Sequence, residues 1–485
     1  MSAQHQPVAS LAPSLGLALA LTSATMLAGC AAVGPDYARP DLTLPGAYAD
    51  AGQSAGTAAA LPANWWTLYG DPTLNDLVAT ALTRNADIRV AVARIEEADA
   101  ALRETGASLL PQVDLGGNAS RSRVSTLTAT PIPANAAVLR TDLRLTAATS
   151  FEFDFWGRLR RIEEAARAQA LGTRYARDVV GLTLAGATTQ AYFALRSADA
   201  QIAVATQTRA AREESLGVVR SRVRGGLASD LELNQAQGAL ADAAIQLTEL
   251  QRQRSVLEHQ LGALSGKPEL TLAAGDLRSM PLPPLPPAGL PSTLLDRRPD
   301  VRQAEQSLVA ANAQIGVAKA AQLPTFSLTA SYGGQSAAFS NLLKSGANIW
   351  SLGLGALMPI IDSGKYAART EQAEARQRQS AASYQKAVET AFREVADALT
   401  NVQQTTATEA NLQTRVDAAR NSLRLAGLRY SAGYSGYLEV LDAQRSANDA
   451  ELALVRNRQS RLAYSVDLMK SLGGGWTPDS GTTAR

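Results

Sequence analysis

The sequence is poor in the residues on which disulfide-rich domains and metal enzymes depend. It has 485 residues but only one cysteine and two histidines. One cysteine cannot form an intrachain disulfide, and two histidines give little support for a metal site. The formal net charge is only +2, so the chain lacks the strongly basic surface that nucleic-acid binding requires. We therefore expect no metal and no nucleic-acid partner.

The position of the single cysteine suggests a lipid attachment. A long apolar run near the N-terminus ends in Leu27-Ala28-Gly29-Cys30. Small residues before a cleavage point are typical of a signal peptide, and this ending resembles the bacterial lipobox. We predict cleavage between Gly29 and Cys30, with N-palmitoyl and S-diacylglycerol groups on Cys30 and no other cofactor. A buried free cysteine is the alternative, but the composition of residues 31–63 is typical of a linker and offers no core in which the cysteine could be buried.

An internal duplication organises the rest of the chain. Asp87–Pro111 is echoed by Asp300–Pro324 at an ungapped offset of 213, and each copy has helical spacing that stops at its proline. Further on, Gly226/Gly433 and Glu232/Glu439 match at an offset of 207. The chain therefore repeats one structural unit.

Four segments alternate between apolar and small or polar residues, as strands do. We predict these strands at about 113–128, 142–155, 325–339 and 348–358. The alternation fits a half-buried sheet of a soluble sandwich or a membrane barrel, and lipidation with long helices favours the barrel. Four strands cannot close a barrel, and open edges are not tolerated in lipid. Two chains would give eight strands, whereas three would give twelve and room for a channel.

Four proline-free segments carry helical patterning. We predict these helices at about 157–222, 230–264, 364–429 and 437–470. A helix of about 65 residues is roughly 100 Å long, which suits a coiled coil or a tunnel wall rather than a globular domain. The predicted fold class is mainly α with membrane β, built from a duplicated helix-strand-strand-helix-helix unit.

The predicted organisation has six parts. They are a lipoprotein signal peptide (1–29), a lipidated tether (30–63), a first repeat (64–279), a Pro-rich connector (280–295), a second repeat (296–470) and a C-terminal tail (471–485).

Several motifs resemble those of the TolC-like outer-membrane efflux factors, in their lipoprotein branch. The matching stretches are CAAVGPDY (30–37), FEFDFWGR (151–158), LDRRPD (295–300), RY-x-x-G (429–433), VLDAQRS (440–446) and KSLGGGW (470–476). The resemblance implies a homotrimer with a twelve-stranded barrel in the outer membrane of a Gram-negative bacterium and a helical tunnel in the periplasm. It also implies a passive exit duct that docks onto a periplasmic adaptor and an inner-membrane pump, commonly of the resistance-nodulation-division type.

By the same resemblance, the periplasmic tips are residues 220–230 and 424–437. Arg222, Arg429 and Tyr430 match positions at the tip constriction, and Asp442 lies just beyond them. Relatives often carry an aspartate where this chain has Gly427, so the tip is expected to be basic. For the two arginines, a solvated charge or a contact with a helix C-terminus is as good an interpretation as gating.

Three other functions fit the sequence less well. An enzyme is disfavoured, because the segment GALSGK (262–267) has the wrong spacing for a phosphate loop and is followed by Pro268. A lipid-anchored coiled-coil scaffold without transport would not need four alternating strands. A passive porin would not need helices that span the periplasm. We therefore expect no catalytic residues.

Overall fold

The structure is a computed structural model that describes residues 32–43, 45, 48, 61–127, 133, 136–284 and 294–477. The predicted cleavage and lipidation site at Gly29 and Cys30 lies outside the described residues. In chain order the main elements are α1 (Pro72–Arg84), α2 (Ala86–Ala107), β1 (Gln112–Arg123), β2 (Leu139–Phe153), α3 (Arg158–Arg224), α4 (Asp230–Ser265), α5 (Pro299–Ala320), β3 (Thr325–Ser336), β4 (Asn348–Leu357), α6 (Lys365–Ser431) and α7 (Tyr437–Ser471).

The duplication predicted from the sequence is confirmed. The order α2-β1-β2-α3-α4 recurs as α5-β3-β4-α6-α7. Corresponding helices have matching lengths, 22 residues for α2 and α5 and 67 residues for α3 and α6. Pro111 and Pro324 separate the first helix of each copy from its strand. The chain is therefore mainly helical with one strand pair in each repeat.

The four strands form one antiparallel sheet in the order β1-β2-β3-β4. Gln112 lies opposite Ser150, Phe151 opposite Leu328, and Thr325 opposite Leu357. Within the described chain β1 and β4 each have one strand partner, so each leaves one edge without a ladder.

The register sorts the alternating residues onto two faces, since opposed residues share a face. One row across the sheet consists of Leu115, Ala147, Tyr332 and Trp350. The adjacent row on the other face consists of Asp114, Ala148, Ser331 and Ser351, where the last two hydroxyls lie 2.8 Å apart. One face is thus apolar and aromatic, and the other is small and polar.

The strand ends differ from the sequence prediction for identifiable reasons. The second strand stops at Phe153, not 155, because the Asp154 carboxylate accepts hydrogen bonds from the amides of Leu159 and Arg160 and so caps α3. It starts at Leu139 because that residue pairs with Arg123, where β1 ends.

In the second repeat, both strands also end early. Strand β3 ends at Ser336, not 339, because Phe339–Asn341 forms a 3₁₀ turn. Strand β4 stops before Met358, and Pro359 has no amide hydrogen to donate to a continued ladder. The long helices differ from their predicted ends by one or two residues, within the usual ambiguity of helix termini. A helical turn at Leu294–Arg297 overlaps the end of the predicted connector.

The chain divides into two compact units. The first comprises Met1–Pro40, Glu96–Gly172 and Glu305–Ala382 and contains the sheet; the second comprises Asp41–Ile95, Thr173–Ala304 and Ser383–Arg485. The second unit has a dense core around Trp65, Tyr69 and Phe193. The Tyr69 and Ser465 hydroxyls share a hydrogen bond of 2.7 Å there. No helix among the described residues is both long and apolar enough to cross a membrane.

The described part of the expected tether is packed rather than loose. In the first unit, the Arg39 guanidinium binds the buried Glu305 carboxylate at 2.7 Å, and the Asn312 amide donates to the carbonyl oxygen of Pro35 at 2.8 Å. In the second unit, Tyr48 is buried and stacks on Phe392 with ring centroids 4.9 Å apart. A linker-like composition therefore did not reveal these long-range contacts.

Candidate functional site at the helix turns

In each repeat, one glycine turn joins the two long helices. In the first turn Gly226 has a φ of 71°, and in the second Gly433 has a φ of 80°, which is the left-handed conformation that favours glycine. The amide of Leu227 donates to the carbonyl of Arg222, and the amide of Tyr434 donates to that of Arg429 at the equivalent place. The two turns thus share one geometry, as the offset of 207 predicts.

Arg222 links the two turns. Its Nη1 donates to the backbone carbonyl of Tyr430 at 3.0 Å, and its guanidinium carbon lies 4.5 Å from the centre of the Tyr430 ring. That carbonyl belongs to the last turn of α6, where helix carbonyls lack intrahelical donors and carry partial negative charge. Arg222 is half-buried, so the contact with a helix C-terminus is the interpretation that the geometry favours over a solvated charge.

Glu232 makes a second link, which the sequence analysis did not assign. One of its carboxylate oxygens accepts from the amide of Ser229 in a capping box at the start of α4. Its other oxygen accepts from the amide of Tyr437, the first residue of α7, at 3.3 Å. Helix α7 begins after Gly436, which has no side chain with which to cap it. The capping-box spacing from Ser229 to Glu232 was visible in the sequence, but the bond to Tyr437 was not.

A small apolar cluster lies beneath these links. Its buried members come from all four helices that meet at the turns and are Leu216, Val219, Ala236, Ala426, Tyr430, Tyr437 and Val440. The rings of Tyr430 and Tyr437 lie 5.6 Å apart, and neither hydroxyl has a hydrogen-bond partner among the described residues. Burial, with the nearby Glu232 carboxylate, raises the pKa of the Tyr430 hydroxyl. The cluster holds the turns together through packing.

The structure places the other predicted residues at the edge of this arrangement. Arg429 is exposed and pairs with Glu439 at 3.0 Å inside the second turn. Asp442 is also exposed and pairs with Arg445 at 3.3 Å. Of the four predicted constriction residues, only Arg222 and Tyr430 are in direct contact with each other across the turns.

Gly427 leaves room for a side chain. A Cβ atom built on it meets no atom within 4 Å. The position lies within helix α6, one turn before the helix ends at Ser431. Steric exclusion therefore does not explain why this chain has glycine where the family resemblance leads us to expect aspartate.

The described residues contain no cluster of three or more His, Cys, Asp and Glu side chains that could hold a metal ion.

Comparison with known proteins gives a consistent family assignment. The sequence profile described as "Outer membrane efflux protein" matches residues 77–267 and 290–474. The chain is similar to the probable efflux pump outer membrane protein SepC of Pseudomonas putida, with 35% identity over 471 residues that cover 94% of this chain and 96% of SepC. It is also similar to the cation efflux system protein CusC of Escherichia coli, with 33% identity over 461 residues that cover 93% and 97% of the two chains.

Among solved structures, the fold resembles the open state of the MtrE outer membrane channel of Neisseria gonorrhoeae. The TM-score is 0.80 at 30% identity, and the match covers 93% of this chain and 99% of MtrE. Because the family profile spans most of the chain and the relatives match nearly end to end, the chain belongs to the outer membrane efflux protein family, whose members are channels of efflux pumps and not enzymes.

Proposed function

We propose that three copies of this chain form one passive exit duct, with a twelve-stranded barrel in the outer membrane. The observation that carries the proposal is the sheet, which within the described residues has open edges at β1 and β4 and an exposed apolar face. Trp350, Leu352 and Leu354 on that face are each more than two-thirds exposed. Unpaired edges are not stable in lipid, so β4 of one copy would pair with β1 of the next.

Three copies fit a duct better than two. Four strands per chain give eight strands in a dimer, which is a barrel just filled by its own side chains, and twelve in a trimer. The small polar face, with Ser331 and Ser351, would line the wet interior, while the aromatic face would meet lipid. A solute channel therefore requires at least the trimer.

The proposed gate is the pair of helix turns. Arg222 links the first turn to the second by its hydrogen bond to Tyr430, and Glu232 does so by its hydrogen bond to Tyr437. Docking of a periplasmic adaptor, together with an inner-membrane pump of the resistance-nodulation-division type, would break these links and let the turns separate. SepC and CusC carry names that assign them to efflux systems, which supports a pump partner for this chain as well.

The proposed membrane attachment includes a lipid on Cys30, after removal of residues 1–29. Leu27-Ala28-Gly29-Cys30 supports it, and so does the ordered segment that follows. In that segment Asp36 pairs with the buried Arg161 at 2.7 Å, so the chain is fixed to the first unit within six residues of Cys30. Mass spectrometry of the intact protein tests this directly, because an unmodified Cys30 would contradict it.

Recording from the purified protein in a planar lipid bilayer tests the duct. We expect discrete conductance steps that grow when Arg222 and Glu232 are replaced together by alanine, because both links between the turns are then lost. A protein that inserts without conducting, both as wild type and as this double variant, would contradict the proposed function.

A further inference from the structure

The first compact unit contains a basic groove that belongs neither to the sheet nor to the helix turns. It has a volume of about 720 Å³ and is lined by α5 and α6, with Gln169 of α3 at one side. Alanines make up much of its floor, and glutamine, serine and arginine side chains supply its polar groups. None of the lining residues is acidic. The groove can therefore attract negative charge.

Two arginines give the groove its charge. Arg369 and Arg376 lie seven residues apart on α6, which places them two turns apart on one face. The Arg369 guanidinium lies 5.3 Å from the centre of the Tyr366 ring. Within the described chain neither arginine forms an ion pair or a hydrogen bond, whereas Arg158 and Arg161 in the same unit are each paired with carboxylates.

The groove lies on the side of α5 away from the N-terminal segment. That segment contacts Glu305 and Asn312, whereas the groove contacts Gln314 and Ala318. At 100° per residue, Gln314 points about 200° away from Asn312. The proposed lipid on Cys30 would place the N-terminal segment on the membrane side of the duct, so the groove, on the opposite side of α5, would face the axis.

We propose that this groove is a binding subsite for organic anions, such as aromatic carboxylates or sulfonates, on the exit path. The two guanidinium groups supply charge-assisted hydrogen bonds in the planar geometry that carboxylate and sulfonate oxygens accept. Gln314 and Gln372 add amide donors, and the alanine floor accommodates the apolar body of the ligand. The inference rests on the proposed trimeric duct, in which six guanidiniums would form a basic zone around the axis.

Calorimetric titration of the full-length protein in a neutral detergent with naphthalene-1-sulfonate tests the subsite. Replacing both arginines with glutamine (Arg369→Gln with Arg376→Gln) should weaken binding at least about tenfold, because both charge-assisted contacts are lost. Arg378→Gln removes the same charge from a position that is exposed, as Arg369 and Arg376 also are, but that does not line the groove, and should leave the affinity within about twofold. The lysine pair, Arg369→Lys with Arg376→Lys, should keep part of the affinity because it keeps the charge.

Salt and an uncharged ligand separate charge recognition from unspecific adsorption. Binding of the sulfonate should weaken as NaCl rises, and naphthalene-1-methanol should bind weakly and equally to all variants. The inference is overturned if wild type does not bind the sulfonate, if the glutamine pair binds it as tightly as wild type, or if the uncharged ligand binds equally well.

Oligomeric mass and bilayer conductance, measured on the same preparations, test the proposed function separately. A conducting trimer with no arginine-dependent binding would contradict only this inference. A single chain that does not conduct would contradict the proposed function, whatever it binds.

Discussion

At the residue scale, two arginines at equivalent places in the repeats have different environments. Arg222 is half-buried and contacts both the carbonyl and the ring of Tyr430, whereas Arg429 is exposed and pairs with Glu439. A hydrogen bond from a charged group in a partly buried site is worth about 1.5–3 kcal/mol, and an exposed ion pair about 0–1 kcal/mol. Equivalent positions in the two repeats therefore need not contribute equally to the stability of the turns.

Arg222→Ala should loosen the turns much more than Arg429→Ala does. We expect a loss of about 2 kcal/mol in local opening free energy for the first and less than about 1 kcal/mol for the second. Amide hydrogen exchange at residues 428–440 measures this difference. Equal exchange rates in the two variants would contradict the role assigned to Arg222.

Gly427→Asp should fold normally, because a Cβ at Gly427 meets no atom within 4 Å and aspartate is a better helix former than glycine. The added carboxylate should shift the reversal potential in a KCl gradient toward cation selectivity. Gly427→Ala is the matched control, since it also raises helix propensity but adds no charge. A shift of equal size in the alanine variant would show that charge is not the cause.

At the element scale, the start of α7 depends on a residue from the other repeat. Glu232 caps its own helix through Ser229 and also accepts from the amide of Tyr437, because Gly436 offers no capping side chain. Helix caps contribute about 0.5–2 kcal/mol. Two helices that are distant in sequence are therefore stabilised by one carboxylate.

Glu232→Ala should accelerate amide exchange at the first turns of both α4 and α7. Ser229→Ala removes only the cap of α4, so it should affect that helix and leave the Tyr437 amide protected. Equal protection at Tyr437 in wild type and in Glu232→Ala would contradict the link between the two turns.

The two faces of β4 should respond differently to charge. Leu352→Arg places a cation on the face proposed to meet lipid and should cost about 2–4 kcal/mol near the middle of the bilayer. Ser351→Arg places the same charge on the opposite, polar face and should be tolerated. Recovery of each variant in the outer-membrane fraction measures insertion, and equal recovery of the two would contradict the assignment of the faces.

The sequence predicts elements well where a local pattern repeats. Alternation in residues 143–153 and 350–356 identifies strands and also their faces, because side-chain direction has a period of two. It does not reveal that Asp154 ends β2 by capping α3, or that Arg39 reaches Glu305. Those contacts join single residues that are not part of any periodic pattern.

At the scale of the whole molecule, the duplicated sequence yields one sheet that a single chain does not complete. Matching repeats supply β1-β2 and β3-β4, which pair through β2 and β3 and leave β1 and β4 with one partner each in the described chain. Neither repeat determines the number of chains, because a closed ring of any number of copies would pair every β1 edge with a β4 edge. The expected channel width distinguishes two chains from three, because eight strands form a barrel filled by its own side chains and twelve leave room for a channel.

The mass of the protein particle, measured by light scattering in detergent with the detergent contribution subtracted, tests the central claim most directly. The chain of 50.8 kDa should give a particle of three chains, less the mass of any cleaved signal peptide. A stable particle of one chain would contradict closure of the sheet between copies, and a particle of two chains would contradict the duct.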